Sequence, residues 1–381
     1  MLNLTQANLF NILLIYGTLV LYVIPKGLIP HTKIFIPIFS GILLAFIVLG
    51  KIKLYRFDVV LAILILLLGI VFNFNLARLA DSIYIIFLLF TCYQQRELGE
   101  LRKRFLYFIS LISIAFQLLI YRAHDIPVLS YEQVNLSAAL ILLWFFFCHK
   151  NNFRVGMLFA LCLSLVFLSR AYILSLLIFM IFLGYEKLFQ KYSLLLSNTK
   201  RYFIFFAILL ILNLSVLGIG NYFINYISID NTGGRSDSLS RIIQLNDRSN
   251  LKRFTANDQL IENLFENKNT LFFGMKKREE EDFLEFLNFN TTVHNSFLIM
   301  VATRGVIFSI VYFFIISIII KRLGIKNNIK YIMSYFCFSL FLHSLFQGAS
   351  LVYFIAILSL PERKSNDQLK INWKNIKIVK I

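Results

Sequence analysis

Runs of almost uncharged apolar residues, most of them 16–18 long, recur along the chain; VIFSIVYFFIISIII over 306–320 is typical. That length is what an α-helix needs to cross a hydrocarbon core of about 30 Å. Lipid offers no hydrogen bonds to the backbone, so such runs must fold as helices. Twelve are read in order, at about 8–24, 34–50, 57–74, 77–93, 104–121, 133–148, 153–169, 171–187, 202–218, 305–320, 330–346 and 349–360. With 59% hydrophobic residues and 41 phenylalanines in 381, the chain carries more apolar surface than a soluble core could hide. The expected fold class is all-α: a polytopic membrane protein of about 12 transmembrane helices with one large outer loop containing short helices.

A formal charge of +18 invites a nucleic-acid reading, but the distribution argues against it. Of the 38 Lys and Arg, 23 fall in 51–56, 94–104, 149–154, 186–201, 321–330 and the tail 361–380. All six lie on one side of a single topology with the N-terminus inside, as the positive-inside rule requires. Membrane lipid, and no nucleic acid, is therefore the expected partner of this charge. Residues 1–218 are expected to hold helices 1–9, and 305–360 helices 10–12. Residues 361–381 form a basic cytoplasmic tail. The first run lacks a small-residue cleavage site after it and is read as a retained span. Residues 153–190 would be roughly 57 Å long as one helix, so the run must fold back, and Ser169-Arg170 is its only polar interruption.

Residues 219–304 form the large outer loop with an interfacial helix. The stretch 219–293 has 9 basic and 11 acidic residues, unlike the inner loops. Here SLSRIIQL and DQLIENLFENKN show the periodicity of short amphipathic helices, and Gly233-Gly234 marks a turn before Arg235. The loop ends in VHNSFLIMVATRG, which runs into the apolar stretch quoted above. A helix from His294 to Lys321 would be about 40 Å long, more than one span needs. Residues 293–304 are therefore read as a short surface helix, with the span starting near Gly305. This lifts Arg304 out of hydrocarbon, where burial would cost about 2.5 kcal/mol or more.

Three sets of outer polar residues stand out. His294 has an imidazole able to accept a proton at neutral pH; the competing reading makes it a bystander beside a helix cap at Thr292 or Asn295. Arg170, between two apolar helices, needs an anionic partner, either a substrate phosphate or a lipid headgroup. Arg235 and Arg241, in GGRSDSLSRIIQ, suit a pyrophosphate, or else are surface charges paired with Asp237. Arg78 with Asp81, and the RAHD run at 122–125, read as spaced ion pairs or lip residues. The four cysteines, Cys92, Cys148, Cys162 and Cys337, make no disulfide framework in the outer loop. No metal-ligand spacing occurs among the five histidines, no cofactor motif is found, and EEED at 279–282 reads as a solvated face.

The arrangement resembles the O-antigen ligase/polymerase superfamily in three places, in order. Ser169-Arg170-Ala171-Tyr172-Ile173-Leu174 is similar to its outer S-R-[GA]-x-x-L turn. Gly234-Arg235, followed by Asn269-Thr270-Leu271-Phe272-Phe273-Gly274, is similar to its loop G-R and N-P-L-x-G-x-G segments. His294, Asn295, Leu298 and Gly305 resemble its H-N-x-x-L with a glycine eleven residues on. The family's acidic residue two before that glycine is Thr303 here, and its N-P-L proline is Thr270. The resemblance covers roughly residues 130–320.

The resemblance implies a GT-C-like membrane glycosyltransferase in the bacterial inner (cytoplasmic) membrane, with its active site facing the periplasm. Its substrate class is an undecaprenyl-pyrophosphate-linked oligosaccharide. His294 would be the general base on an acceptor sugar hydroxyl, with Arg170 and Arg235 on the pyrophosphate. Asn295, Arg241 and Arg304 would be further substrate-binding residues. No cofactor or metal is implied. A polysaccharide polymerase of the Wzy type, acting in O-antigen or capsule biosynthesis beside a flippase and a chain-length regulator, is the leading expectation. A ligase delivering the glycan to lipid A–core shares the chemistry and differs in its acceptor. A flippase or transporter is the alternative of another class; against it, the long loop lies outside and no second half repeats the first.

Overall fold

The computed structural model describes residues 55–71, 76–91, 134–167, 169–186, 188, 191–192, 198–209, 211, 248–276, 295–325, 327–341, 345–346 and 348–360. The runs at 8–24, 34–50 and 104–121, the RAHD, SLSRIIQL and EEED segments, Gly233-Gly234, Cys92 and the tail lie outside the described residues. The described part is all-α, and no strand occurs within it. Its helices are α1 (Arg56–Val71), α2 (Leu76–Thr91), α3 (Val134–Lys150), α4 (Arg154–Phe167), α5 (Arg170–Gly184), α6 (Arg248–Glu266), α7 (Lys268–Phe273), α8 (Ser296–Arg304), α9 (Val306–Leu323), α10 (Ile329–Ser339) and α11 (Gly348–Ser359). A further helical stretch occupies 199–209.

Among the described residues, α9 is the one helix long and apolar enough to cross a membrane by itself. The expected run 330–346 is shorter as a helix, because α10 stops at Ser339. Tighter turns follow, from Leu340 N–H to Cys337 and from Phe341 N–H to Phe338. The returning chain is then held by side chains: the Tyr335 hydroxyl donates to the Leu345 carbonyl, and Leu345 N–H donates to Ser296 Oγ. The division of 153–190 is plain. α4 ends at Phe167, Ser169 caps α5, and the Tyr172 hydroxyl in the first turn of α5 reaches back to the Ala160 carbonyl of α4 at 3.1 Å.

The core is aromatic and aliphatic. Phe146 stacks on Phe179, with centroids 5.7 Å apart, and meets Tyr331 edge-on; Tyr335 lies flat on Phe354 at 3.8 Å. Outward faces are also apolar. Ile63, Leu67 and Ile70 on α1, Leu174, Leu177 and Ile181 on α5, and Ile307, Ile310 and Phe314 on α9 are all exposed, at helical spacing.

Long-range polar contacts sort the helix ends into two groups. At one end, Arg322 near the end of α9 makes a forked pair with Asp58 at the start of α1 (2.6 and 3.1 Å). Lys150, ending α3, donates at 2.8 Å to the carbonyls of Leu358 and Leu360, which α11 leaves without an internal partner. Lys330, in the first turn of α10, pairs with Glu186 beyond α5, and Lys321 bonds Thr199. The described parts of the basic loops thus gather at one end of the bundle. The other end holds the starts of α2, α5 and α9, the end of α10, and the small outer layer of α6, α7 and α8.

Candidate functional site

The outer layer has a core of its own. Ala256, Leu260 and Leu264 lie on one stripe of α6 and pack with Met275, Leu298 and Ala302. The same helix leaves Phe265 exposed on its other side. This bears out the amphipathic reading of DQLIENLFE, within a longer helix than the motif alone suggests.

Two backbone segments from different motifs cross beneath that core. Gly274 ends α7 at φ 79, ψ 165, and Gly305 separates α8 from α9 at φ 85, ψ 159. That region of backbone space is essentially reserved for glycine. Each also approaches the other's backbone: a Cβ on Gly274 would lie 2.7 Å from Gly305 N, and one on Gly305 would lie 2.3 Å from Phe272 O. Met275 N–H donates to Ala302 O at 2.9 Å and ties the segments together. The sequence marks both glycines as motif positions. Their contact supplies the physical reason.

Around the crossing sits a buried charged cluster. Arg78, fully buried in the first turn of α2, donates through Nη2 to Thr303 O (2.8 Å) and Met275 O (3.4 Å), and through Nε to Thr303 O (3.3 Å). Asp81, one turn on, accepts from Arg304 Nε at 2.9 Å, with both side chains under a tenth exposed. The reading of Arg78 and Asp81 as spaced ion pairs or lip residues is thus refined. The pair with Asp81 is long-range, and Arg78 grips carbonyls at the end of α8. The one cue in the sequence was an Arg and an Asp at i, i+3 just inside an apolar run, where each must find a partner.

At its other end α8 is capped by Asn295, whose Oδ1 accepts from Phe297 N–H (3.0 Å) and Leu298 N–H (2.9 Å). The cap expected of Asn295 under the bystander reading is therefore real. Yet its Nδ2 is buried with no hydrogen-bond acceptor among the described residues. A buried amide donor left unpaired costs about 1–3 kcal/mol. Thr270, in the place of the motif proline, donates its N–H to Asn267 Oδ1 at 3.2 Å, a bond proline could not make. Thr303, in the place of the acidic residue, turns its hydroxyl onto Ile299 O of its own helix.

The start of α5, where Arg170 sits, lies toward the same end. Lys330 of α10 pairs with Glu186, and Ser334 Oγ bonds Ser175 O at 2.7 Å, so α5 and α10 run antiparallel. One further turn along, the end of α10 is level with the start of α5, and the chain beyond it bonds Ser296. The backbone thus brings the first residue of α5 and the Asn295 cap of α8 to one end. His294, Arg235 and Arg241 lie outside the described residues. Arg304 lies in the last turn of α8, engaged with Asp81. At the junction of α6 and α7, an open hollow of about 500 Å³ is lined by Asn263, Glu266, Asn267, Lys268 and Asn269. Among the described residues, no three His, Cys, Asp or Glu side chains cluster to hold a metal ion.

Comparison of the chain with protein-family models, with curated proteins and with solved structures finds no match in any of the three.

Proposed function

We propose that this protein is a polytopic membrane glycosyltransferase of the polysaccharide-polymerase type, moving a glycan from undecaprenyl pyrophosphate to the sugar hydroxyl of a lipid-linked acceptor. One observation carries the reading. Segments that the sequence motifs single out separately, the start of α5, the turn at Gly274 and the helix from Asn295 to Gly305, lie at the bundle end opposite the basic loops. The apolar outward faces and the gathering of basic loops at one end support a membrane setting with that end inside. The opposite end would then face the periplasm.

In this reading His294 takes the proton of the acceptor hydroxyl as its oxygen attacks the anomeric carbon. The bond from that carbon to the pyrophosphate oxygen breaks, and undecaprenyl pyrophosphate leaves. Guanidinium groups of Arg170 and Arg235 balance the charge gathering on the leaving group, with Arg241 close behind in the loop. The Asn295 Nδ2 next to His294, without an acceptor among the described residues, would donate to a substrate oxygen. Arg304 enters as support for α8 through Asp81. The amide-rich hollow between α6 and α7 suits a hydroxyl-bearing chain passing over the outer layer.

The test is direct. Purified protein in nanodiscs, given a lipid-linked repeat unit, should lengthen it, and His294→Ala should lose that activity by about 10²-fold or more. Lengthening by the variant at the wild-type rate would remove His294 from the mechanism. Inertness of the wild type toward lipid-linked units, with transfer to lipid A–core, would make the protein a ligase instead.

A further inference from the structure

We propose that Arg78 is a positioning residue for the outer-end site: it clamps the end of α8 so that the Asn295 end of that helix is held in fixed relation to the bundle. A nine-residue helix is short of hydrogen bonds at its end. Its last turn leaves four carbonyls with no partner of their own, and a helix this short is marginal without tertiary contacts. In α8 three of these are provided for, each differently. Val301 O accepts from Gly305 N–H at 2.8 Å, and Ala302 O accepts from Met275 N–H at 2.9 Å. Thr303 O accepts from Arg78, through two of its nitrogens. The last residue, Arg304, is held through its side chain by Asp81.

Of these fastenings at its end, those from Arg78 and Asp81 tie α8 to the helix bundle through α2, while at its start Ser296 Oγ accepts from Leu345 N–H. The Gly305 bond is local, and the Met275 bond stays within the outer layer. Arg78 also touches both crossing segments, since the same Nη2 that bonds Thr303 O faces Met275 O. A cation at the negative end of a helix, forked across two carbonyls, holds orientation as well as position. Lysine keeps the charge and loses the fork. Removing Arg78 should therefore loosen the Thr303 end of α8 while its own ladder and the Ser296–Leu345 bond at its start survive, and the helix, with Asn295 as its cap, should tilt about that bond.

The inference about reaction chemistry rests on the transferase reading; the clamp itself does not. With Cys92 and Cys162 replaced by Ser, spin labels at Ile70→Cys and Ile299→Cys report the α1-to-α8 distance in nanodiscs. Wild-type protein should give one narrow distribution, Arg78→Lys a broader one and Arg78→Ala the broadest. If Arg78→Ala is not recovered folded, Arg78→Lys decides alone. Turnover on a lipid-linked repeat unit should fall about 10²-fold in Arg78→Ala, with KM changing less than about threefold, as expected when orientation rather than binding is lost. Arg322→Ala, which breaks an ion pair at the basic end, should leave the distance distribution narrow. Unchanged distributions in both Arg78 variants would overturn the proposal, as would broadened distributions with undiminished turnover. Broadened distributions in a protein whose wild type transfers no glycan would sustain the clamp and sink the transferase reading.

Discussion

At the scale of single residues, the Gly274–Gly305 crossing makes the sharpest demand on the sequence. Both backbones lie where a side chain is strained by about 1–3 kcal/mol before any contact is considered. Both would also drive a Cβ into backbone atoms that cannot rotate away, Arg304 C at 2.6 Å in one case and Phe272 O at 2.3 Å in the other. Gly305→Ala and Gly274→Ala are each expected to lower the unfolding temperature in detergent by several degrees. Gly184 is the internal control: it ends α5, and among the described residues no atom outside its own helix lies within 4 Å of its Cβ position. Alanine there should be neutral or stabilising by about 0.5 kcal/mol. Equal behaviour of all three variants would mean that the crossing is not under the constraint described.

At the scale of elements, the outer layer is a small structure resting on a larger one. Among the described residues its core holds six buried side chains, against the extended aromatic core of the bundle, so α6 and α7 should open before the bundle does. Leu260→Ala should cost about 2 kcal/mol, because it removes a side chain only 2% exposed and leaves a cavity in its place. In hydrogen exchange the amides of 258–266 should then exchange roughly 30-fold faster, while those of α9 stay unchanged. Faster exchange in α9 as well would show that the layers unfold together. This layering was partly legible in the sequence. The stripe of DQLIENLFE and the length arithmetic that breaks the chain near Gly305 are local properties, readable from spacing and from 1.5 Å per residue. What spacing cannot encode is which distant carbonyl an arginine will find. Arg78 and Thr303 are 225 residues apart, and Asp81 and Arg304 are 223 apart. Lys150 was equally opaque: as sequence it is one more basic loop residue, and in the fold it is buried as a cap on α11.

At the scale of the whole molecule, the organising fact is that the ends of the bundle differ in chemistry. Lys150, Lys321, Arg322 and Lys330 are engaged at one end with carbonyls, hydroxyls and carboxylates from other helices. The glycine crossing and the outer layer occupy the other. A bilayer with a charge bias on one leaflet would account for ends kept apart in this way. The same two-ended order explains why the start of α5, the turn at Gly274 and α8 lie at one end although they are far apart in sequence, since antiparallel helices return every second connection to the same side. Thiol labelling tests the order without reference to any activity. In the background lacking Cys92 and Cys162, a membrane-impermeant maleimide added to intact spheroplasts should label Lys268→Cys on the outer layer and leave Lys200→Cys untouched. Both positions are exposed in the fold, so both should react once the membrane is broken. Labelling of Lys200→Cys in intact spheroplasts would reverse the orientation and carry the Asn295 end of α8 away from any periplasmic substrate.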